Sequence, residues 1–160
     1  MTTPTDRSEA VRHHSKRMGR EIAMQYLYSC DSRGELPGAA TFESFFEALL
    51  GEYGHADEHL MHRAREFAVK LYELVALHLD EIDAILRPRC ESWGWERIGA
   101  VDRAVMRVAL AEMLYGKDTP VLVCIDEAVE ITRDFAGAES GSFVNGVLNA
   151  IKNDLPKIKR

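Results

Sequence analysis

Three histidines stand at a spacing that could bring metal ligands together. His55, His59 and His62 follow an i, i+4, i+7 pattern, which lines one side of a helix. A metal site needs a further ligand, and Glu58 is not placed as the base of a metalloprotease motif would be. An exposed polar helix face explains the pattern more simply, and the sequence predicts no metal or other cofactor.

Two further patterns match catalytic motifs only in part. A phosphate-binding loop ending at Gly116 and Lys117 would need an earlier glycine, where the sequence has an alanine, and a preceding strand. Ser140 lacks the flanking glycines of a nucleophile elbow, because Ala138 and Ser142 occupy those places. The sequence therefore predicts that the protein is not an enzyme.

A basic segment near the N-terminus is the first candidate for a binding site. Lys16, Arg17 and Arg20 fall in the first turns of a predicted helix, where their charges oppose the helix dipole. This placement favours a phosphate-binding edge, and a solvated polar face is the alternative.

A stretch of small residues supplies the second candidate. Residues 137–142, with Glu139 and Ser140, contain too many small side chains to continue a helix, so we predict a turn. The turn leads into a helix N-terminus, where free N–H groups favour an anion. Phe143 is the first large side chain after it. This phenylalanine is either a core residue or a platform for an unpaired base.

Charge is distributed unevenly along the 160 residues. The net charge is −6, but residues 1–20 hold five Lys or Arg against two acids, and residues 152–160 hold four against one. Basic ends on an acidic body indicate either a local electrostatic site or disordered tails.

Composition indicates a soluble globular protein of one domain. The chain is 46% hydrophobic and 29% charged, and it is long enough to bury a core. No apolar run approaches the roughly 20 residues of a membrane span, and no signal peptide is recognisable. Three widely spaced cysteines fit neither a disulfide framework nor a zinc site, which indicates a cytoplasmic location.

Helical periodicity runs through most of the chain, and no segment alternates with period two. We predict an all-α single domain of two packed helical bundles with about seven helices, and we expect Asp80 to cap a short helix after the first bundle. Trp93 and Trp95 fall in a linker, where they could stack bases, but anchoring of the loop on the core is favoured. The predicted segments are a disordered tail at 1–10, a domain at 11–153 with bundles at 11–79 and 80–153, and a basic tail at 154–160.

The strongest helical pattern is a hairpin between Val121 and Ile151. Inside its second helix Gly146 costs roughly 1 kcal/mol relative to alanine. This cost predicts that a neighbouring helix approaches closely at Gly146.

A set of motifs spread over about residues 15–152 resembles one known family. The motifs are RMGRE at 17–21, DRAVMRVA at 102–109, EAVE at 127–130 and SGSFVNGVL at 140–148. The FVNGVL run is the most specific of them. Together they resemble the NusB transcription antitermination factors.

The resemblance implies an all-helical protein of two bundles without catalysis. It implies binding to the boxA element of ribosomal RNA leaders jointly with ribosomal protein NusE, in the elongating RNA polymerase complex with other Nus factors. The alternative function is a homodimeric protein-interaction module with weak or masked RNA binding. Matched to this sequence, the implied RNA contacts are Lys16, Arg17, Arg20, Glu139, Ser140 and Phe143, and the implied NusE contacts are Tyr28 and Asp102.

Two features depart from the family pattern. Met18 and Gly19 dilute the basic cluster. The turn before Phe143 is about one residue shorter than in some relatives, and it carries an acid, Glu139.

Overall fold

Six α-helices make up most of this computed structural model, which describes the backbone of residues 4–53 and 57–158 and the side chains of residues 13–52 and 57–156. These ranges contain no strand, which confirms the predicted all-α fold class. None of the helices in them has the length and apolar character needed to cross a membrane. The helices are α1 (Pro4–Arg33), α2 (Ala39–Tyr53), α3 (Glu58–Arg89), α4 (Ala100–Tyr115), α5 (Val121–Ala136) and α6 (Ala138–Ile158), with a short 3₁₀ turn at Trp95–Arg97.

The chain divides into two compact units. They are Met1–Glu73 and Leu74–Arg160. The division falls a few residues before the predicted boundary at 79/80.

The first helix begins at Pro4 rather than near Val11. Proline suits a first turn, because its missing N–H would have no partner there. Residues 4–10, predicted as disordered, therefore have a helical backbone, and residues 1–3 lie outside the described chain. The basic residues at 16–20 now lie in the middle of α1. The helix dipole acts within the first turn, so the opposition inferred from the sequence is absent.

Helix α3 continues through the position where the sequence predicts a new helix at Asp80. It is kinked at His78, whose φ of −116° and ψ of 21° are not helical. The His78 ring stacks on Tyr115 with centroids 3.6 Å apart. Residues 79–87 contain no glycine or proline that would end the helix, so α3 runs on to Arg89.

The last helix also extends further than predicted. Helix α6 runs to Ile158 and includes Pro156, where the sequence predicts a basic tail from residue 154. Leu155 is buried, and Asp154 pairs with Arg89 at 2.8 Å. These contacts hold the end of α6 against the C-terminal part of α3.

The N-terminal unit has an aromatic core around Tyr26. Its ring lies 5.1 Å from the rings of both Phe42 and Tyr72. The Tyr26 hydroxyl donates to the carbonyl of Gly38 and accepts from the Gly38 N–H, each at 2.8 Å. These bonds hold the loop between α1 and α2 and satisfy the one polar atom of a buried ring.

The C-terminal unit packs α4, α5 and α6 together and joins them to the end of α3 by an ion pair. The Arg107 guanidinium donates to both carboxylate oxygens of Asp83, at 2.9 and 2.8 Å. The guanidinium carbons of Arg87, Arg103 and Arg107 lie 5.5–5.7 Å from the ring centroid of Trp95. Trp95 thus anchors the linker, as the sequence predicts.

The predicted close approach at Gly146 is wrong. Among the described residues, and apart from the two chain neighbours of Gly146 and the backbone of its own helix, no heavy atom lies within 4 Å of a Cβ built on Gly146, which faces solvent. The amphipathic pattern of α6 places Val144, Val147 and Leu148 in the core and leaves Gly146 on the opposite side.

Candidate nucleic-acid interface

In the N-terminal unit, the basic residues of α1 gather around Phe67 of α3. The Lys16 ammonium nitrogen lies 5.9 Å from the centroid of the Phe67 ring, and the Arg20 guanidinium carbon lies 5.3 Å from it. Both distances are within the range of cation–π attraction. Phe67 therefore orients two of the three cations that the sequence assigns to RNA. We call Lys16, Arg17 and Arg20 the basic group.

The members of the basic group differ in exposure. Lys16 and Arg17 are half-buried, whereas Arg20 exposes only 4% of its surface. A guanidinium so deeply buried cannot make extensive phosphate contacts. Lys16 and Arg17 are therefore the members of the basic group whose surface is accessible to an external ligand. Arg20 instead packs against the ring of Phe67.

Gly19 does not dilute the surface of this group. It is buried, and a Cβ built on it would lie 2.8 Å from Cδ1 of Phe67 and 2.9 Å from the carbonyl oxygen of Ala64. The missing side chain lets α3 approach the backbone of α1. Of the two residues that interrupt the basic sequence, only Met18 is partly exposed.

The connection before Phe143 is much shorter than the predicted turn of residues 137–142. Helix α5 ends at Ala136, Gly137 adopts a positive φ of 99°, and α6 begins at Ala138. One residue in this conformation suffices to redirect the chain, so the following small residues are free to enter a helix. Glu139 and Ser140 lie in the first turn of α6, and the first backbone bond runs from Gly141 N–H to the Gly137 carbonyl at 3.1 Å.

A cavity of about 440 Å³ opens beside this first turn, within the C-terminal unit. Its volume is within the range of small-molecule sites. We call it the α6 cavity. It is lined by Trp93, Arg97, Ile98, Gly99, Asp102, Glu139, Ser140 and Phe143.

Two aromatic rings form part of the cavity wall. Phe143 is half-buried rather than a core residue, and Trp93 is 63% exposed. Their centroids lie 5.4 Å apart with the ring planes at 73°. The anchoring predicted for both tryptophans therefore fails for Trp93. No local signal marks this residue, because its contact with Phe143 joins segments that are distant in sequence.

Asp102 lies in the wall of the same cavity. Its exposure is only 7%, and its Oδ1 has no hydrogen-bond partner among the residues that the structure describes. Burial raises the pKa of this carboxyl above its ordinary value, and a hydrogen bond from Ser140 partly opposes the rise. The structure thus brings together Asp102, Glu139, Ser140 and Phe143 of the predicted site residues.

The other residue assigned to NusE lies on α1 in the N-terminal unit. Tyr28 is 42% exposed and carries a large side chain on the surface. Tyrosine in such a position is typical of protein interfaces. Of the two predicted NusE contacts, Tyr28 is exposed, whereas Asp102 is buried in the wall of the α6 cavity.

The histidine pattern forms no metal site in the described part of the chain. Within it, no group of three His, Cys, Asp or Glu side chains is arranged to hold a metal ion. His62 faces solvent and pairs with Glu66 at 3.1 Å, and His59 is also exposed. His55 lies outside the described residues.

Comparison with known sequences places the chain in a family. The NusB family model matches residues 17–153. The chain belongs to the NusB family. Among NusB transcription antitermination proteins, that of Geobacillus kaustophilus is 41% identical over 86% of this chain and 95% of its own length. That of Bacillus mycoides is 39% identical over 88% of this chain and 98% of its own length.

Solved structures of the NusB family share the fold. T. maritima NusB is 30% identical with a TM-score of 0.68, covering 96% of this chain and 94% of that one. A crystal structure of the antitermination factors NusB and NusE in complex with dsRNA is 27% identical with a TM-score of 0.69, covering 87% and 96%. This chain is therefore similar in sequence and in structure to antitermination factors along most of its length.

Proposed function

We propose that this protein is a transcription antitermination factor that binds single-stranded boxA RNA of ribosomal RNA leaders jointly with NusE. It acts in the cytoplasm, in the elongating RNA polymerase complex with other Nus factors, by binding and not by catalysis. The observation that carries the proposal is the pair of nucleic-acid features in one NusB-family chain: a basic group fixed on Phe67 and an aromatic cavity at the first turn of α6.

The basic group suits a phosphate backbone. Lys16 and Arg17 are partly exposed cations on a rigid helix, and Phe67 restricts the side chain of Lys16. Cations that are held in place lose less conformational entropy when they bind. Phosphate contacts supply most of the affinity for RNA and make it depend on salt.

The α6 cavity suits an unpaired base. Trp93 and Phe143 offer ring surface next to polar groups, and single-stranded RNA is recognised by stacking on aromatic rings together with hydrogen bonds to base edges. Glu139 and Ser140 line this site from the first turn of α6.

The overall charge explains why a partner is needed. A net charge of −6 opposes binding of a polyanion, so the protein alone is expected to bind RNA weakly. A basic ribosomal protein would supply the missing positive charge, and the acidic surface would attract it. The solved complex of a relative that contains NusB, NusE and dsRNA supports both partners.

The proposal is tested by RNA binding to the full chain with and without its own NusE. Fluorescence anisotropy of a labelled boxA RNA is measured at several salt concentrations for the wild type and for Lys16→Ala with Arg17→Ala. We expect tighter binding with NusE, and a salt slope that falls by about 0.7 for each phosphate contact removed. Arg63→Ala is the matched control, because Arg63 is an exposed cation of α3 outside the basic group.

Two results would contradict the proposal. One is an equal salt slope for the double variant and the Arg63→Ala control. The other is a homodimer, measured by light scattering, that ignores added boxA RNA, which would favour a protein-interaction module instead.

The NusE contact is tested separately at Tyr28. Tyr28→Ala is expected to weaken NusE binding by at least 1 kcal/mol, because exposed tyrosines are frequent interface anchors. RNA binding by the protein alone should be unchanged. Calorimetric titration with NusE measures the first effect and anisotropy the second. Loss of RNA binding alone would contradict the assignment.

A further inference from the structure

A second cavity lies between α1 and α2, within the N-terminal unit. Its volume of about 470 Å³ is in the range of small-molecule sites. On the α1 side it is lined by residues 26, 29, 30 and 33, which share one face of the helix. On the α2 side three short side chains recur every four residues, Ala40, Ser44 and Ala48, and they leave the space between the two helices open. We call this space the α1–α2 cavity.

Part of the wall of this cavity is aromatic. The rings of Tyr26 and Phe45 have centroids 5.5 Å apart and planes at 49°. The Tyr26 hydroxyl already bonds to Gly38 and, at 2.6 Å, to the hydroxyl of Thr41. An apolar group of a ligand can therefore contact the rings, while polar recognition depends on other residues of the wall.

Two side chains of opposite charge also line the cavity. Arg33 ends α1, and Gly34 then adopts a positive φ of 66°. The Glu35 N–H donates to the carbonyl of Cys30 at 2.9 Å, which closes the end of the helix and turns Glu35 back toward α1. Among the described residues no ion pair joins Arg33 to Glu35. Both charges are thus placed at one cavity without neutralising each other directly.

The electrostatic effect of both charges reaches the wall of the cavity. Cys30 lies in this wall with 5% exposure, and burial raises the pKa of its thiol. Glu35 adds a smaller rise of this pKa, and Arg33 opposes it. A simple ion of either sign would be attracted by one of the two charges and repelled by the other. A ligand that carries both an ammonium and a carboxylate group, together with an apolar group, matches the cavity.

We propose that the α1–α2 cavity binds a free amino acid with a large apolar side chain, whose ammonium group pairs with Glu35 and whose carboxylate pairs with Arg33. A guanidinium suits the second role, because it can donate two parallel hydrogen bonds to a carboxylate. The apolar side chain lies against Phe45. The inference goes beyond the proposed function and is independent of it, because neither the basic group nor Tyr28 lines this cavity.

The first experiment is an NMR titration of the full ¹⁵N-labelled chain with L-phenylalanine. We expect saturable shifts of resonances at the α1–α2 cavity with a Kd of about 1 mM. Two blocked ligands are compared with it: N-acetyl-L-phenylalanine lacks the ammonium charge, and L-phenylalanine amide lacks the carboxylate. Each should bind about 10-fold more weakly, because a hydrogen bond between charged groups is lost.

Each charged side chain is then tested against the ligand group assigned to it. Glu35→Gln should remove the preference for L-phenylalanine over its N-acetyl form and keep the preference over the amide. Arg33→Gln should have the reverse effect. Glu47→Gln and Arg63→Gln are the matched controls, because both residues are exposed and lie outside the cavity.

A further variant reduces the cavity and leaves its charges in place. Ala48 is exposed, so a leucine can be introduced there without disturbing the core. Ala48→Leu should weaken binding of L-phenylalanine by about 10-fold, because its side chain occupies the space of the ligand. Ala84→Leu, at an exposed alanine of α3 outside the cavity, should leave the affinity unchanged. The NMR spectra of both variants without ligand report whether they are folded.

Three results would overturn the proposal. The first is the absence of saturable shifts at the cavity up to about 20 times the expected Kd. The second is equal affinity for the three ligands, which would indicate a cavity that accepts any apolar group, such as a side chain of a protein partner. The third is a pair of ligand preferences that Glu35→Gln and Arg33→Gln leave unchanged. None of these results bears on binding of boxA RNA or NusE, so failure of this inference is distinguishable from failure of the proposed function.

Discussion

Gly19 of α1 and Phe67 of α3 are in such close contact that a methyl group on the glycine would lie 2.8 Å from Cδ1 of the ring. The carbonyl oxygen of Ala64 would be 2.9 Å from the same methyl group. The ring can rotate, but a helix backbone cannot move cheaply. The position of Phe67, and with it the orientation of Lys16 and Arg20, thus depends on the absence of a side chain at residue 19.

We predict that Gly19→Ala destabilises the protein. Overpacking costs about 1–3 kcal/mol, and the better helix propensity of alanine returns at most about 1 kcal/mol. Gly146→Ala is the control, because Gly146 is a helical glycine in open space, and it should be neutral or stabilising. Thermal denaturation of both variants measures the difference. A melting temperature of Gly19→Ala at or above that of Gly146→Ala would contradict the packing argument.

We predict that the alanine variants of Arg17 and Arg20 differ in their effects on protein stability and on the salt dependence of RNA binding. Arg20→Ala should lower stability, because the side chain is buried over Phe67, and should change the salt slope of RNA binding little. Arg17→Ala should lower stability less than Arg20→Ala does, because Arg17 is less buried, and should reduce the salt slope. Urea denaturation and salt-dependent anisotropy are measured on both variants. Identical behaviour would refute the distinction drawn from burial.

We predict that Asp102→Asn stabilises the protein at neutral pH. Burial raises the pKa of Asp102 in the folded state, so the native protein holds this proton more tightly than the unfolded chain does. The charged carboxylate therefore lowers the free energy of unfolding at pH values above the raised pKa. This loss of stability disappears as the pH falls below the ordinary carboxyl value near 3.8. The gain should be about 1 kcal/mol at pH 7 and smaller at pH 3.5, below the ordinary carboxyl value.

The control for this prediction is Asp126→Asn, on an exposed aspartate of α5. Melting temperatures of the wild type and both variants are recorded at the two pH values. About 2–4 °C of shift corresponds to 1 kcal/mol in a chain of this size. A gain for Asp102→Asn that grows as the pH falls would have the wrong sign.

We predict that Asp83→Ala strongly destabilises the C-terminal unit. Asp83 and Arg107 form a bidentate pair whose side chains are largely buried, and removing one partner leaves the other charge desolvated. The expected loss is about 3 kcal/mol. Glu66→Ala, which breaks the exposed pair with His62, should change stability by less than about 0.5 kcal/mol. Urea denaturation of the two variants tests the contrast, and similar midpoints would contradict it.

At the ends of several helices, tertiary contacts override the local sequence signals for a helix start or stop. The sequence predicts that Asp80 is a helix N-cap, yet α3 continues past this residue and is kinked at His78. Pro156 has the character of a helix stop, yet α6 includes it, because Leu155 is buried and Asp154 pairs with Arg89. A single glycine, Gly137, connects α5 to α6, whereas the sequence predicts a turn over residues 137–142.

The candidate site was predictable in its residue types but not in its geometry. Phe143 and the first turn of α6 stood out by local pattern, and the structure places Asp102, Glu139 and Ser140 around one cavity with them. The sequence predicts anchoring for Trp93, because tryptophan rings more often anchor a loop than stack bases, and it does not predict the contact of this linker residue with the ring of Phe143 on α6. Contacts between distant segments leave no periodic trace in a single sequence.

By itself, the amino-acid sequence determined that the chain is helical and which face of most helices is apolar, because both follow from spacings within one or two turns. Its motifs also indicated the NusB family. Only the tertiary structure decided that Gly19, and not Gly146, is in close contact with a neighbouring helix. It also decided that Arg20 is buried, and that Asp102 is buried with an Oδ1 that has no hydrogen-bond partner in the described part of the chain. These features depend on which side chains meet when helices pack, and packing is a property of the whole unit rather than of any one segment.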